Sequence, residues 1–124
     1  MGGISRRMSV IIFAAAAMAP GNAATRAQES LKIQISGHYF AEPATVDVLV
    51  AVEPNKENRM LRIEADGDSF FRSSELELSG DTGQRYHNFM FKNIPAGEYV
   101  VRAVLLSSKR ELAMAQTNLS VLNK

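Results

Sequence analysis

The side chains in this chain that could hold a metal are two histidines and several methionines, because the chain has no cysteine. Imidazole and thioether groups suit copper in an oxidising compartment, and His38, His87 and Met90 are the candidate ligands, with Met60 and Met114 as further thioethers. His87 and Met90 are three positions apart, so on an extended strand they would face opposite sides. A small copper site is therefore an alternative hypothesis.

The motifs of the common enzyme classes are absent from the sequence. It has no GxSxG, HExxH or phosphate-binding loop. Asp66 and Asp68 flank Gly67, but this run lacks the further oxygens and the terminal glutamate of an EF-hand loop, and Asp-Gly is typical of a hairpin turn. The sequence therefore predicts no catalytic residue, no enzyme activity and no cofactor.

Two pairs of adjacent aromatic residues are candidate binding residues. Phe70 and Phe71 precede Arg72, and Tyr39 precedes Phe40. Successive side chains of a strand point to opposite faces, so one member of each pair is expected to be exposed or to lie in a bend. Arginine and aromatic residues are frequent anchors of protein interfaces. The two loops could form one patch for a protein partner; alternatively, one phenylalanine fills the core and the other closes the sandwich edge.

The elements that must position these residues are strands. From Leu31 onward, apolar residues alternate with polar ones, and turn-forming residues separate the alternating segments. Seven such segments predict an all-β, seven-stranded antiparallel sandwich: LKIQIS, TVDVLVAVE, MLRIEA, SELELSG, HNFMFKN, and residues 98–106 and 111–122. Both faces of the last two segments are largely apolar. Either these strands are central in a sheet or one face is offered to a protein partner or a second copy.

The run FKNIPAGEYVVRAVL places a turn and a tyrosine directly before the longest apolar segment. Pro95 cannot donate a ladder hydrogen bond and Gly97 tolerates positive φ, so the chain is expected to cross between sheets here, with the Tyr99 ring turned inward. The run resembles the tyrosine corner of immunoglobulin-like and fibronectin type III domains, and also transthyretin-like and carboxypeptidase-regulatory-like domains. The resemblance implies an immunoglobulin-like sandwich, and such domains bind or brace other modules and are rarely enzymes.

Residues 1–27 read as a secretory signal peptide. Arg6 and Arg7 precede a short apolar stretch, Pro20 and Gly21 follow it, and small residues offer cleavage after Ala23 or Ala27. The run SRRMSV resembles the start of a twin-arginine export signal, although an ordinary Sec leader could also carry two arginines. We therefore expect a bacterial periplasmic or secreted protein, with its sandwich domain in residues 28–124 and no integral membrane segment after removal of the leader.

The charge balance excludes one class of partner. Three of the 14 basic residues, and none of the 13 acidic ones, lie in the first 27 positions, so the remainder carries a net charge of −2. This body has no basic excess that would attract nucleic acid. The sequence as a whole predicts an exported, non-catalytic binding or accessory module, acting through a sheet face or an aromatic loop. The alternatives are a small periplasmic copper-binding protein and an escort subunit of an exported enzyme.

Overall fold

The computed structural model describes residues 30–124, so the predicted leader and its cleavage sites at Ala23 and Ala27 lie outside the described residues. The described chain forms eight strands: β1 (Leu31–Ile35), β2 (Tyr39–Ala41), β3 (Ala44–Val52), β4 (Met60–Gly67), β5 (Phe71–Glu77), β6 (Tyr86–Ile94), β7 (Gly97–Leu106) and β8 (Glu111–Leu122). Within residues 30–124, no helix has the length and apolar character needed to cross a membrane.

The strands form two sheets. One has the order β1-β3-β6 and the other β2-β8-β7-β4-β5. The predicted all-β class with two sheets is confirmed. The expected seven-stranded, fully antiparallel arrangement is not, because β2 is an eighth strand and pairs in parallel with β8. Three residues are too few to show an alternating pattern, so β2 could not be predicted from the sequence.

The alternating pattern of β3 explains the core. The valines of this strand are buried, while the residues between them are exposed or partly buried. Leu61 and Ile63 of β4, which is in the other sheet, are also buried and belong to the same core cluster. Burial of each such side chain contributes about 1.5–3 kcal/mol, which explains how a domain without disulfides is held together.

The apolar outer face of β7 lies in the middle of its sheet, between β8 and β4. Val104 is buried on this face, and Arg102 on the same face is ion-paired with Glu64 at 2.8 Å. The central position of β7, between two neighbouring strands, therefore explains why its outer face is largely apolar. A protein partner or a second copy on this face remains a prediction.

The sandwich has two structurally different ends. At the corner end, β4 finishes at Gly67, β6 at Ile94, and β7 begins at Gly97. At the other end, called the His87 end here because β6 begins beside His87, the loops 53–59, 78–85 and 107–110 lie together. The strand registers fix this division, since Val52 pairs with Leu31 in one sheet and Met60 pairs with Leu106 in the other.

Candidate functional site

At the corner end, Tyr99 is buried and its hydroxyl donates a hydrogen bond to the Pro95 carbonyl at 2.7 Å. Burial raises the pKa of the Tyr99 hydroxyl above its ordinary value, and the negative charge of Glu42 raises it further. A Cβ placed on Gly67 would lie 2.6 Å from Cε1 of the Tyr99 ring, so only glycine fits there. Gly97 has a φ of 155°, a conformation that favours glycine.

The predicted binding residues Phe70 and Arg72 contribute to the packing of this same corner. The rings of Phe70 and Tyr99 pack edge to face, with centroids 6.2 Å apart. The Arg72 guanidinium lies 5.1 Å from the centroid of the Phe70 ring and donates to the carbonyl of Lys92. Both side chains therefore have partners within the domain, whereas Phe71 is 56% exposed.

Tyr39 and Phe40 divide in the same way. Tyr39 is 77% exposed, while Phe40 is partly buried and packs against the core. The exposed residues Tyr39 and Phe71 lie in β2 and β5, which are the two outer strands of the five-stranded sheet. Four inter-strand spacings separate them, or about 19 Å, so the structure does not bring the two loops into one aromatic patch.

The candidate copper ligands are also far apart. His38 lies at the corner end, where its Nδ1 is 2.8 Å from the Asn118 carbonyl oxygen. His87 lies at the other end and is buried, and Met90 of the same strand is 55% exposed on the opposite face. Throughout residues 30–124 there is no group of three or more His, Cys, Asp or Glu side chains positioned to hold a metal ion.

The His87 end contains a cleft of about 240 Å³, called the His87 cleft below. It is lined by Val52, Pro54, Asn58, Leu76, His87 and residues 77–84. His87 reaches it because its side chain shares the inward face of β6 with Phe89 and Phe91. The cleft therefore opens where the two sheets separate and the loops 53–59 and 78–85 meet.

Asn58 joins the two loops that enclose this cleft. Its side-chain nitrogen Nδ2 donates to the backbone carbonyl of Glu53 at 3.0 Å. Its backbone carbonyl accepts a hydrogen bond from the Gly80 amide at 3.1 Å. Asn58 is 1% exposed, and its Oδ1 is buried without a hydrogen-bond partner in the protein. The residue that connects the two loops thus has an unpaired side-chain oxygen, Oδ1, beside the cleft.

His87 presents the second unpaired atom. The residue is 8% exposed, and its Nε2 is buried with no hydrogen-bond partner in the protein. A buried polar group without a partner costs about 1–3 kcal/mol, and these are the two such side-chain atoms in the described part of the chain. Because both residues line one cleft, we interpret it as the candidate functional site.

Charged groups of both signs lie at or beside this cleft. Asp81 is among its lining residues, while Lys56 and Arg59 line a neighbouring groove that shares the residues from Leu78 to Asp81 with it. An Arg59 guanidinium nitrogen donates to the carbonyls of Lys56 and Asn58, so a positive charge lies close to Asn58.

Sequence reasoning selected His87 but missed Asn58. The alternation of His87 with Phe89 and Phe91 indicates an inward side chain, which separates it from Met90. Asn58 lies in the turn-forming run EPNKEN, where asparagine is common for local reasons, so its role in joining two loops had no sequence signal.

Comparison with known proteins was informative only at the level of structure. The chain matches no protein-family model and no curated protein sequence. It is similar to the solved structure of superoxide reductase (neelaredoxin) from Ignicoccus hospitalis, and equally to two variants of that protein. Each match has a TM-score of 0.60 and 16% sequence identity, and covers 75% of this chain and 80% of the other. The likeness is one of fold.

These matches correct three expectations. The similar structures are superoxide reductases, not immunoglobulin-like, fibronectin type III, transthyretin-like or carboxypeptidase-regulatory-like domains. The non-catalytic binding or accessory role was inferred largely from that family resemblance, and the absence of enzyme activity from the missing catalytic motifs. A fold shared with superoxide reductases overturns both expectations. The reason is that the run from Pro95 to Tyr99 specifies how a chain crosses between sheets, and such a crossing does not define a family.

Proposed function

We propose that this protein is a small exported metal-binding protein in which His87 coordinates the metal ion from the wall of the His87 cleft. The observation that carries the proposal is the buried Nε2 of His87, which has no hydrogen-bond partner in the protein. Neutral imidazole is the commonest protein ligand for transition metals. An imidazole nitrogen that is free of hydrogen bonds is suited to that role.

The remaining donors indicate which metals fit. Asn58 Oδ1 offers a buried oxygen beside the cleft, and Asp81 is also among the lining residues. Nitrogen and oxygen donors suit Zn²⁺, Ni²⁺ and Cu²⁺, whereas Cu⁺ prefers sulfur. No methionine lines the cleft, so the proposed metal ligands are nitrogen and oxygen donors and not the thioethers of Met60, Met90 and Met114.

The same donors limit what is carried over from the structural relatives. A redox centre enclosed by protein ligands alone does not fit residues 30–124, because the chain has no cysteine and these residues contain no cluster of three or more His, Asp or Glu side chains. In the described residues, His87 and Asn58 are the side chains that hold unpaired buried donor atoms beside the cleft.

Export is part of the proposal and is supported by the sequence of residues 1–27. The arginine pair, the short apolar stretch and the small residues near Ala23 and Ala27 are typical of a cleaved leader. Outside the cytoplasm, in the periplasm or the medium, a protein without cysteine has no thiol that could be oxidised or could capture the metal.

The test is calorimetric titration of the chain from residue 28 onward, stripped of metal, with Zn²⁺, Ni²⁺ and Cu²⁺. We expect one ion per chain and at least a tenfold loss of affinity in His87→Gln, about 1.4 kcal/mol. His38→Gln is the matched control and should bind normally. Failure of all three ions to bind, or equal losses in both variants, would refute the proposal. The loaded protein is also assayed for superoxide consumption, because the fold is shared with superoxide reductases.

A further inference from the structure

We infer that the turn between β7 and β8 forms one wall of a binding site for a phosphate group, carried either by a small soluble molecule or by a lipid headgroup. The inference goes beyond the proposed metal site and uses none of its residues. It follows from the charges that line one groove, from the lack of carboxylate partners for most of these charges, and from the fixed position of Arg59.

The groove lies between the loop 53–59 and the β7–β8 turn, has a volume of about 300 Å³, and is called the Lys109 groove below. Four of its seven lining residues are cationic and one is anionic: Lys56, Arg59, Lys109, Arg110 and Glu57. The lining therefore carries a net charge of +3, whereas residues 28–124 as a whole contain 11 basic and 13 acidic side chains. The overall charge balance thus hides a local cluster of cations.

Three of the four cations lack a carboxylate partner. Arg110 pairs with Glu57 at 3.2 Å, but Lys56, Arg59 and Lys109 form no ion pair with any carboxylate of the described residues. Elsewhere in the described domain, three arginines do pair with carboxylates: Arg62, Arg85 and Arg102. Cations that share a groove without counter-charges repel one another, so an anion bound there is favourable.

Arg59 is held in place by the backbone. Its Nη1 donates to the carbonyl of Lys56 at 2.6 Å and to the carbonyl of Asn58 at 2.8 Å. These bonds leave the hydrogens on Nε and Nη2 available for a ligand. The planar arginine fork matches two oxygens of a phosphate, and a side chain that is already fixed loses little conformational freedom on binding.

The β7–β8 turn is fixed by its own hydrogen bonds. The Ser107 hydroxyl oxygen accepts from the amides of Lys109 at 3.1 Å and Arg110 at 3.0 Å, and the Ser107 amide donates to the Arg110 carbonyl at 2.8 Å. Ser108 and Lys109 are exposed on this turn and line the groove. The turn therefore supplies a hydroxyl donor and an ammonium group to the same groove as the loop 53–59.

The number of charges favours a phosphate group over a carboxylate. A phosphate monoester carries a charge of about −1.5 to −2 at pH 7 and has three acceptor oxygens. It can therefore accept from cations of both loops at once. A carboxylate has one charge and two oxygens in one plane, so it uses fewer of the available donors.

The experiment titrates pyrophosphate and acetate into the metal-free chain from residue 28 onward, at constant ionic strength, and follows the backbone amides by nuclear magnetic resonance. We expect pyrophosphate to bind at least about tenfold more tightly than acetate, with the largest shifts in residues 56–59 and 107–110. Lys109→Gln should weaken pyrophosphate binding about fivefold. Lys109 is exposed and its ammonium group has no partner in the described residues, so the fold should tolerate this change.

Two control variants separate this site from general charge and from the metal site. Lys92→Gln removes the same charge from an exposed position of β6, near the corner end, and should bind pyrophosphate normally. His87→Gln should also bind it normally, so failure of the proposed metal site would leave this result intact. Equal losses in Lys92→Gln and Lys109→Gln, or equal affinities for pyrophosphate and acetate, would overturn the inference.

Vesicles identify the source of the phosphate group. Sedimentation compares vesicles of phosphatidylcholine alone with vesicles of an equimolar mixture of phosphatidylcholine and phosphatidic acid. Binding to the mixed vesicles that is lost in Lys109→Gln and kept in Lys92→Gln supports the inference and assigns a lipid headgroup. Binding of pyrophosphate without binding to the mixed vesicles supports it and assigns a soluble phosphate. Absence of binding to both would overturn it.

Discussion

The two ends of the sandwich treat their buried polar groups in opposite ways. At the corner end the Tyr99 hydroxyl is hydrogen-bonded to Pro95, and Arg72 covers Phe70 while donating to a carbonyl. At the other end His87 and Asn58 each bury a polar atom without a partner. Native structures pair most of their buried polar atoms. The corner end therefore stabilises the fold. The His87 end leaves two buried polar atoms unpaired beside a cleft, which lowers stability.

The same contrast corrects an intuition about sequence motifs. The most recognisable run of the chain, from Phe91 to Leu105, contains the stabilising corner, and the aromatic and arginine residues that resemble an interface belong largely to its packing. The candidate site lies at the less conspicuous end. The corner was easier to recognise in the sequence because turns and crossovers require particular residues, such as Gly67 and Gly97. The candidate site requires few particular residue types.

The largest expected effect tests the stabilising corner. Phe70→Ser removes a partly buried ring that packs on Tyr99 and under Arg72, so we expect it to lower the free energy of unfolding by about 2–3 kcal/mol. Phe71→Ser changes an exposed ring and should stay within about 0.5 kcal/mol of the parent. Urea denaturation of both variants measures the difference. Equal large losses of unfolding free energy in both variants would show that Phe70 and Phe71 are both core residues.

The next effect compares the two ends directly. His87→Phe replaces a buried unpaired polar group by an apolar ring, and should raise the stability of the metal-free protein by about 1 kcal/mol. Tyr99→Phe removes a satisfied hydrogen bond and should lower it by about 1 kcal/mol. Both substitutions are followed by urea denaturation in the presence of a chelator. If His87→Phe lowers the free energy of unfolding as much as Tyr99→Phe does, then the two ends do not differ in how their buried polar groups affect stability.

The smallest effect is a dependence on alkaline pH. The pKa of Tyr99 is raised in the folded state, so the folded protein keeps this proton at pH values where the unfolded chain has begun to lose it. The stabilisation is complete below the unfolded pKa of about 10 and is lost as the pH rises through the folded pKa.

Urea midpoints measured from pH about 8 to about 10.5 should therefore fall at the upper end, and more steeply in the parent than in Tyr99→Phe. Identical pH profiles for the parent and the variant would mean that the Tyr99 hydroxyl does not titrate differently in the folded state.

The sequence predicted the elements of this fold better than their arrangement. Alternation along β3 and β4 is a local signal and correctly indicated half-buried strands. The pairing of β2 with β8 joins residues about 80 positions apart, as in the contact of His38 with Asn118, and no local pattern encodes it. The family assignment failed because a strand count and one crossover are common to many sandwiches.

For the candidate site, prediction reached only one of the two key residues. Period-two alternation indicates that His87 points inward, since its strand neighbours on that face are Phe89 and Phe91. Asn58 lines the same cleft from a different loop, and its backbone carbonyl accepts a hydrogen bond from the Gly80 amide. That meeting of loops depends on how the two sheets stack, which the spacing of residues along the chain does not determine.

The position of β8 within its sheet has a consequence for how the protein is made. This strand is formed by residues close to the end of the described chain, yet it lies between β2 and β7 in the five-stranded sheet. During synthesis that sheet cannot close until β8 has emerged. Until then β2 lacks its partner strand and one edge of β7 stays unpaired.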